Sequence, residues 1–310
     1  MSKRYVIGAD IGGSHICAAV VDVEKYTILE DTFISEHVDN TQSKAGIIKQ
    51  WSEVFNKVLD KKENGVIGLA CAIPGPFNYS EGIAKYPEGF KFSELNGVKI
   101  EDELSPLLAS ETTLPIKFLN DATSFAVGVA RSNPTIKDKR TLCITLGTGL
   151  GAGFVDKRLP VLSGPTVPPN GCLWNLEWDE GMADDYFSTR GIIKLYADLG
   201  GEKIVGAKEL ADRIDTDPLA VKTFEVFGEN LAQFLTPYLK TFKADALVMG
   251  GSISKAFSFF GPSCVAKLEA NGVQLEVLVS NIMEKGAILG CTCVFEQDFM
   301  ETIGNDLPKI

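Results

Sequence analysis

Residues 6–14 read Val-Ile-Gly-Ala-Asp-Ile-Gly-Gly-Ser, an apolar run that ends in two glycines and a hydroxyl residue. A second apolar run, residues 16–21, follows at once, which predicts two strands joined by a tight turn. Glycine lets the backbone bend sharply and lets an anion approach the main-chain N–H groups. The turn at Gly12, Gly13 and Ser14 can therefore hold part of a polyphosphate. An ordinary β-hairpin turn explains this stretch, taken alone, equally well.

The same pattern returns in the second half of the chain. Residues 141–155 read Thr-Leu-Cys-Ile-Thr-Leu-Gly-Thr-Gly-Leu-Gly-Ala-Gly-Phe-Val, which again predicts strand, turn and strand, with Gly147, Thr148 and Gly149 in the turn. The recurrence favours phosphate binding over two unrelated hairpins. Neither turn has the Walker pattern, because no Gly-Lys-Ser or Gly-Lys-Thr follows. Neither is a dinucleotide fingerprint, because a strand and not a helix is predicted after each turn.

Composition sets wide bounds on the class of protein. With 310 residues, 45% of them hydrophobic, the chain can bury more core than one compact domain needs, so we expect two domains. The formal net charge of −11 argues against nucleic acid or an anionic membrane as partner, since both require a basic face. No apolar run is long enough to span a bilayer, and Asp10 interrupts the first run, so we expect a cytoplasmic protein without a signal peptide.

The seven cysteines are scattered through apolar segments. This distribution predicts buried, reduced thiols and not disulfides. They are Cys17, Cys71, Cys143, Cys172, Cys264, Cys291 and Cys293.

Periodicity of the apolar residues predicts an α/β chain with an internal repeat, because strands and helices alternate and a strand restarts the pattern at residue 141. Strands are predicted at residues 5–8, 16–23, 27–34, 66–71, 116–119, 246–249 and 275–279. Helices are predicted at residues 43–61, 122–130, 219–243 and from about residue 284. The irregular stretch 74–96, rich in glycine, proline and aromatic residues, has the length of a functional loop.

Five motifs, in the same order, resemble those of the ROK family of sugar kinases, within the actin and hexokinase superfamily. The resemblance covers nearly the whole chain. The motifs are residues 10–14 (first phosphate motif), 73–76 (Pro-Gly-Pro loop), 119–122 (catalytic Asn-Asp), 146–153 (second phosphate motif) and 248–254 (adenosine segment, with Gly250, Gly251 and Ser252).

The resemblance implies two ribonuclease-H-like domains of the actin-like ATPase fold, with a cleft between them. The first domain would comprise residues 1–120, with a C-terminal helix at about residues 286–310 packing back on it. The second would comprise residues 121–285. Homodimers are usual in the family.

The resemblance also implies that Asp121 is the general base that takes the proton of a sugar hydroxyl, and that Asn120 binds neighbouring hydroxyls and selects the oxygen facing Asp121. A helix N-cap is the alternative, and it is the better explanation of the Asn-Asp dipeptide alone. Asp10 would hold Mg²⁺ through water, so that the metal bridges the phosphates of ATP. Its alternative role is a turn residue that bonds its own backbone.

The predicted sugar pocket departs from the family. Many members carry Gly-Glu-x-Gly-His, whose histidine binds sugar and zinc, followed by a cluster of cysteines. Here residues 171–175 read Gly-Cys-Leu-Trp-Asn, so Cys172 replaces the glutamate and Asn175 the histidine. The later cysteines are missing, and both histidines of the chain, His15 and His37, lie elsewhere. We therefore predict no zinc.

Three further residues are candidate sugar ligands. Asn175 can donate and accept hydrogen bonds. Asp184 stands at the family's sugar-binding glutamate and is one methylene shorter. Glu88 falls where the family often has a sugar-contacting asparagine.

We therefore expect an ATP-dependent sugar kinase, with glucose as the first candidate and mannose, fructose or N-acetylated amino sugars as alternatives. A polyphosphate donor occurs in the family, but this acidic chain has no basic track for one. A sugar sensor without activity has no need for Asp121. A transcriptional repressor of this family would carry a helix-turn-helix before the first phosphate motif. An actin-like or chaperone ATPase would release ADP without requiring a hexose.

Overall fold

Each glycine-turn stretch forms an antiparallel hairpin, and each hairpin begins a separate sheet. The computed structural model describes residues 4–62 and 64–309. Its contacts divide the described residues into two units. Unit 1 runs to Pro134 and resumes at Glu284, and unit 2 is Thr135–Met283.

Unit 1 is built on a mixed sheet with strand order β3-β2-β1-β5-β8 and with β4 also paired to β2. Its strands are β1 (Tyr5–Ile11), β2 (His15–Asp22), β3 (Thr27–Ile28), β4 (Ile34–His37), β5 (Val66–Ile73), β6 (Phe77–Asn78), β7 (Ile83–Ala84) and β8 (Ile116–Asn120). Strand β1 is antiparallel to β2 and parallel to β5, and β5 is parallel to β8. Because β1, β5 and β8 run in the same direction, their C-terminal ends lie along one edge of this sheet.

Helices α1 (Lys44–Lys61), α2 (Ile100–Leu104) and α3 (Asp121–Ser132) follow the strands of unit 1. The N-cap Ser43 accepts a hydrogen bond from the Gly46 N–H (3.3 Å), and the predicted apolar stripe of α1, which includes Trp51 and Phe55, is buried. The periodicity therefore located this helix correctly, because one face of α1 packs on the sheet.

The prediction of one strand over residues 27–34 is wrong. A 3-10 turn, Glu30–Thr32, separates β3 from β4. The Thr32 hydroxyl donates to the Leu29 carbonyl (2.6 Å) and accepts the Val20 N–H (2.9 Å). This side chain replaces a strand-to-strand hydrogen bond, and the chain turns at that point.

Unit 2 repeats the arrangement of unit 1, with strand order β11-β10-β9-β14-β15. Its strands are β9 (Arg140–Leu146), β10 (Leu150–Asp156), β11 (Leu159–Pro160), β12 (Glu177–Trp178), β13 (Gly181–Met182), β14 (Ala246–Gly250) and β15 (Glu276–Val279). Strand β9 is antiparallel to β10 and parallel to β14, and β14 is parallel to β15. An antiparallel hairpin followed by two parallel strands is thus common to both units.

The helices of unit 2 contribute side chains to the same hydrophobic core as the strands of this second sheet. They are α4 (Ala183–Tyr186), α5 (Thr189–Asp198), α6 (Ala207–Asp212), α7 (Pro218–Phe242) and α8 (Phe257–Ala270). The aromatic residues of α7, among them Phe224, Phe227 and Phe234, are buried in the hydrophobic core of unit 2. They are core residues, as their helical spacing predicts.

The chain returns to unit 1 through α9 (Met283–Cys291), a 3-10 turn (Thr292–Phe295) and α10 (Gln297–Ile303). Helices α3 and α9 pack backbone to backbone. A Cβ at Gly128 would lie 1.8 Å from the Gly286 carbonyl oxygen, and one at Gly290 would lie 1.8 Å from that of Ser124. This close packing keeps α3 in unit 1, whereas the boundary predicted from the sequence lies before it.

All seven cysteines are reduced. Six are buried, and Cys172 is partly exposed. Burial raises the pKa of the Cys71 and Cys264 thiols to about 12. Within residues 4–62 and 64–309, no helix combines the length and the hydropathy that crossing a membrane requires.

Candidate functional site

The first glycine turn joins β1 to β2 in unit 1. The Gly12 N–H donates to the His15 carbonyl (2.9 Å), and the side-chain amide of Asn40 donates to the Gly13 carbonyl. A Cβ on Gly13 would lie 2.8 Å from Cδ of Lys91. Because the end of a lysine side chain can move aside, this contact places Lys91 at the turn but does not by itself require glycine at position 13. Ser14 is exposed at the tip of the turn.

Asp10 lies one residue before the end of β1 and is only partly exposed. Its pKa is raised to about 8, first by burial and then by the negative charges of Asp121 and Glu284. These three carboxyl groups therefore interact within unit 1. A cation beside Asp10 would relieve both the burial of its charge and the repulsion.

Asn120 and Asp121 stand at the junction of β8 and α3. Asn120 is the N-cap of α3, and its side chain accepts the Thr123 N–H (3.0 Å). The N-cap role is thus correct for Asn120, while Asp121 is the first residue of the helix. Asp121 Oδ1 accepts from Asn120 Nδ2 (3.0 Å) and from the Ala122 N–H (2.8 Å). These two donors fix the orientation of the carboxylate.

Burial raises the pKa of Asp121, and the Ala122 N–H, the positive charge of Lys91 and the Asn120 amide act against this rise. Asp121 is therefore a partly buried carboxylate whose pKa is raised above that of a solvated aspartate. Such a group is a stronger base than an ordinary aspartate once it is ionised.

Tyr79 was not singled out by the sequence. Its hydroxyl accepts from Asn120 Nδ2 (3.1 Å) and donates to the Ile73 carbonyl (3.1 Å). The Asn120 Oδ1 also accepts from the Thr123 hydroxyl (3.3 Å). The hydrogen-bonding groups of the Asn120 amide are all engaged, so its position is fixed by Tyr79 and by the first turn of α3.

Glu88 lies in the irregular stretch 74–96 of unit 1 and is exposed. Within the part of the chain that the structure describes, its side chain has no recorded hydrogen bond or ion pair. Glu88 is therefore available to a ligand, but nothing in unit 1 holds its side chain in one position.

The second glycine turn, in unit 2, is held from two helices. The Gly147 carbonyl accepts from the Thr189 N–H (2.8 Å) and the Thr189 hydroxyl (2.9 Å) at the start of α5. Asp184 of α4 accepts the Leu150 N–H (2.5 Å), and a Cβ on Gly149 would lie 2.7 Å from Asp184 Oδ1. Thr148, at the tip, is exposed.

The predicted adenosine segment adjoins this turn. Gly250 pairs with Thr145 in the β14–β9 register. Gly251 has φ +84°, and a Cβ there would lie 2.4 Å from the Leu146 carbonyl oxygen, so both conformation and space require glycine. Ser252 is exposed, and its hydroxyl would lie 3.6 Å from a Cβ on Gly147. Two predicted nucleotide segments therefore lie side by side in unit 2.

Asp184 and Asn175, the predicted sugar ligands of unit 2, lie close together in that unit. The Asp184 N–H donates to the Trp174 carbonyl (3.0 Å), and the Asp184 carboxylate pairs with Arg190. Asn175 is exposed, and no hydrogen bond of its side chain is recorded within the described residues. The Asp184 side chain is thus held by a hydrogen bond and an ion pair, whereas no such contact holds the Asn175 side chain within the described residues.

Among the described residues, no group of three or more His, Cys, Asp or Glu side chains is placed to hold a metal ion. Magnesium does not need such a cage, because it binds through one or two carboxylates together with phosphates and waters. Asp10, with its pKa near 8 and its acidic neighbours, fits that kind of site. The prediction of no zinc rests on the sequence alone.

Comparison with known proteins places these residues in a family context. The ROK family profile matches residues 6–161 and 179–297. The unmatched residues 162–178 contain Cys172 and Asn175, the positions where the sequence departs from the family pattern.

Two curated relatives act on different sugars. A glucokinase of Thermotoga maritima is 26% identical, over 96% of this chain and 99% of that protein. An N-acetyl-D-glucosamine kinase of Mannheimia succiniciproducens is 27% identical, over 80% of this chain and 84% of that protein.

Solved structures share the fold at low identity. A ROK hexokinase from Thermus thermophilus has a TM-score of 0.76 and 16% identity, covering 93% of this chain and 96% of that one. A ROK family glucokinase from Streptomyces griseus, in complex with glucose and AMPPNP, has a TM-score of 0.70 and 19% identity, covering 94% and 98%. The α/β fold predicted from the sequence is confirmed.

Proposed function

This chain belongs to the ROK family and is a sugar kinase, and we propose that it transfers the γ-phosphoryl group of ATP to a hydroxyl of a hexose, with glucose as the first candidate. The observation that carries this proposal is the Asp121 carboxylate. It is partly buried, oriented by Asn120 and Ala122, and stands at the start of α3 in the same unit as the first glycine turn and Asp10.

Asp121 acts as the general base. As the sugar oxygen attacks the γ-phosphorus, the hydroxyl proton passes to the Asp121 carboxylate, and the bond from the γ-phosphorus to the β–γ bridging oxygen breaks to release ADP. The raised pKa of Asp121 favours acceptance of that proton. Asp10 would hold Mg²⁺ through water, and the cation would neutralise charge at the phosphates.

The glycine turns bind the nucleotide. In unit 1, the N–H groups near Gly12, Gly13 and Ser14 bind phosphate oxygens. In unit 2, the second glycine turn binds phosphate as well, and the following segment contacts the adenosine. These residues of unit 2 are Gly147, Thr148, Gly149, Gly250, Gly251 and Ser252.

Asn120, Asn175, Asp184 and Glu88 are the proposed sugar ligands. A sugar hydroxyl that bonds Asn120 would replace one of its present hydrogen bonds, because the amide is fully engaged. Asn175 needs to give up no such bond, since none is recorded for its side chain within the described residues.

An N-acetylated amino sugar is the second candidate substrate. The observation in its favour is the departure of residues 171–175 from the family pattern. Where the family has histidine, the exposed Asn175 presents both a hydrogen-bond donor and an acceptor. Mannose and fructose remain alternatives, as does a sugar sensor without turnover. We also propose a cytoplasmic homodimer without nucleic-acid or membrane partners.

The test is sugar-dependent ADP formation with Mg²⁺-ATP over a panel of hexoses and amino-hexoses, comparing the parent with Asp121→Asn. We expect kcat to fall by about 10²- to 10⁴-fold while the sugar still binds. Asp60→Asn, an exposed aspartate at the end of α1, is the matched control and should match the parent. Sugar binding by the parent without turnover on any sugar would favour the sensor.

A further inference from the structure

Lys91 lies against the first glycine turn, and none of the sequence motifs contains it. A Cβ placed on Gly13 would lie 2.8 Å from Cδ of Lys91 and 3.1 Å from its Cε. The end of the lysine side chain therefore covers the backbone of the turn. Its ammonium group is one bond beyond Cε, so it lies beside the proposed phosphate site.

The backbone at Lys91 is anchored by its neighbour. Phe92 is fully buried and has φ +60°. Its ring meets that of Trp51 edge to face, at 5.3 Å between centroids, and lies 5.8 Å from that of Tyr86. The Tyr86 hydroxyl in turn donates to the Pro74 carbonyl (2.8 Å). The rings of Trp51, Tyr86 and Phe92 thus hold the backbone next to Lys91 in place, although Lys91 itself is exposed.

The Lys91 side chain lies near the carboxylates of unit 1 and against the first glycine turn. Asp10, Asp121 and Glu284 place negative charge near the turn, and Lys91 is the cation that favours the ionised form of Asp121. Yet no ion pair of Lys91 is recorded within the described residues. A lysine that lies over the turn and makes no ion pair within the described residues is available to a phosphate, since an ammonium group binds phosphate as a point charge.

We infer that Lys91 binds the terminal phosphoryl group of ATP at the first glycine turn, and this inference rests on the proposed function. The ammonium neutralises charge on the transferred group, and it leaves the Asp121 carboxylate free to take the sugar proton. Asn40 supports the same geometry, because its amide holds the Gly13 carbonyl and so fixes the turn under Lys91.

The test compares two ligands that differ by that phosphoryl group. Dissociation constants for Mg²⁺-AMPPNP and Mg²⁺-ADP are measured by calorimetry for the parent, Lys91→Met, Lys91→Gln and Lys91→Arg. The two neutral variants should bind AMPPNP about tenfold more weakly and ADP within about twofold of the parent. Lys91→Arg, which keeps the charge, should keep the preference for AMPPNP.

Lys85→Met is the matched control, because Lys85 is an exposed lysine of the same stretch and should leave both constants unchanged. Equal weakening of AMPPNP and ADP, or no weakening in either neutral variant, would overturn the inference. The comparison needs no turnover. A parent that binds nucleotides but phosphorylates no sugar would therefore refute the proposed function alone, and a parent that binds neither nucleotide would overturn both.

In a protein that does turn over sugar, the neutral variants should also lower kcat and move the acidic limb of the pH–rate profile upward. The direction follows from the sign of the charge, since loss of a nearby cation raises the pKa of Asp121 further. An unchanged pH profile together with an unchanged kcat would contradict the placement of Lys91 beside the reacting group.

Discussion

Asp10 lies near the C-terminal end of β1 and Asp121 directly follows β8, with β5 between these two strands. Their negative charges repel each other. Burial and this repulsion raise the pKa of Asp10 to about 8. In the ligand-free protein at neutral pH, Asp10 therefore holds its proton to a large extent. A magnesium–nucleotide complex would displace that proton, so binding and ionisation are linked at this residue.

The contribution of Asp10 to the stability of the ligand-free protein should fall as the pH rises from about 4 to about 8. The sign follows from the raised pKa, because folded Asp10 keeps a proton that the unfolded chain, with an aspartate pKa near 3.8, has already lost. Asp10→Asn removes the titrating group and should flatten this dependence. Thermal midpoints of the two proteins across this pH range provide the measurement.

When nucleotide is present, magnesium should reverse this fall of stability with pH, since the ionised form of Asp10 is the one that binds the cation. The affinity for Mg²⁺-AMPPNP should then increase with pH up to about 8 and level off above it. Parallel stability curves for the parent and Asp10→Asn would show that Asp10 does not carry the linkage.

Helices α4 and α5 set the shape of the second glycine turn. Thr189 donates two hydrogen bonds to the Gly147 carbonyl, and Asp184 accepts the Leu150 N–H on the other side of the turn. The turn is therefore preorganised by contacts within unit 2, which reduces the ordering cost of binding a phosphate there.

Thr189→Val should raise KM for ATP about three- to tenfold while leaving KM for the sugar unchanged. Valine keeps the backbone N–H bond and the shape of the side chain but loses the hydroxyl bond to Gly147. Steady-state kinetics with each substrate varied in turn measure the split. Thr216→Val is the control, because that exposed hydroxyl only bonds the Arg213 carbonyl of its own turn. A rise in the sugar KM alone would count against the assignment of this turn to nucleotide.

Patterns that depend on local sequence predicted most elements. Helices α1 and α7 follow from apolar periodicity, and the two hairpins follow from their glycine turns. The break between β3 and β4 was missed because it depends on a hydrogen bond from Val20, far from Thr32 along the chain. Local propensity carries no information about such a partner.

The residues of the candidate site also differ in how far the sequence alone could identify them. The Asn-Asp pair and the glycine turns are visible as motifs, whereas Tyr79, Lys91 and Thr189 are ordinary residues until the fold brings them to a motif. The aromatic and glycine-rich stretch 74–96 was the one available signal for Tyr79 and Lys91. It indicated a functional loop without indicating which side chains serve it.

The chain, with its two sheets of corresponding strand order, carries an excess of negative charge. Its formal net charge is −11. Local N–H groups, Lys91 and a bound cation can hold a short triphosphate against this field. A long polyanion extends beyond such local contacts and meets the general repulsion of the surface.

Long-chain polyphosphate should therefore support a kcat/KM at least about tenfold below that of ATP. The measurement is sugar-phosphate formation with each donor at matched Mg²⁺ and ionic strength. Equal efficiency with the two donors would mean that the surface charge does not select the donor.

The burial of six cysteines and the partial exposure of the seventh give the native protein a built-in attachment point. A thiol-specific fluorophore or spin label will reach Cys172 well before the buried thiols, whose raised pKa values also slow their reaction. Because Cys172 lies in the segment that we propose to form part of the sugar pocket, a probe placed there reports on that segment without any cysteine having to be introduced or removed.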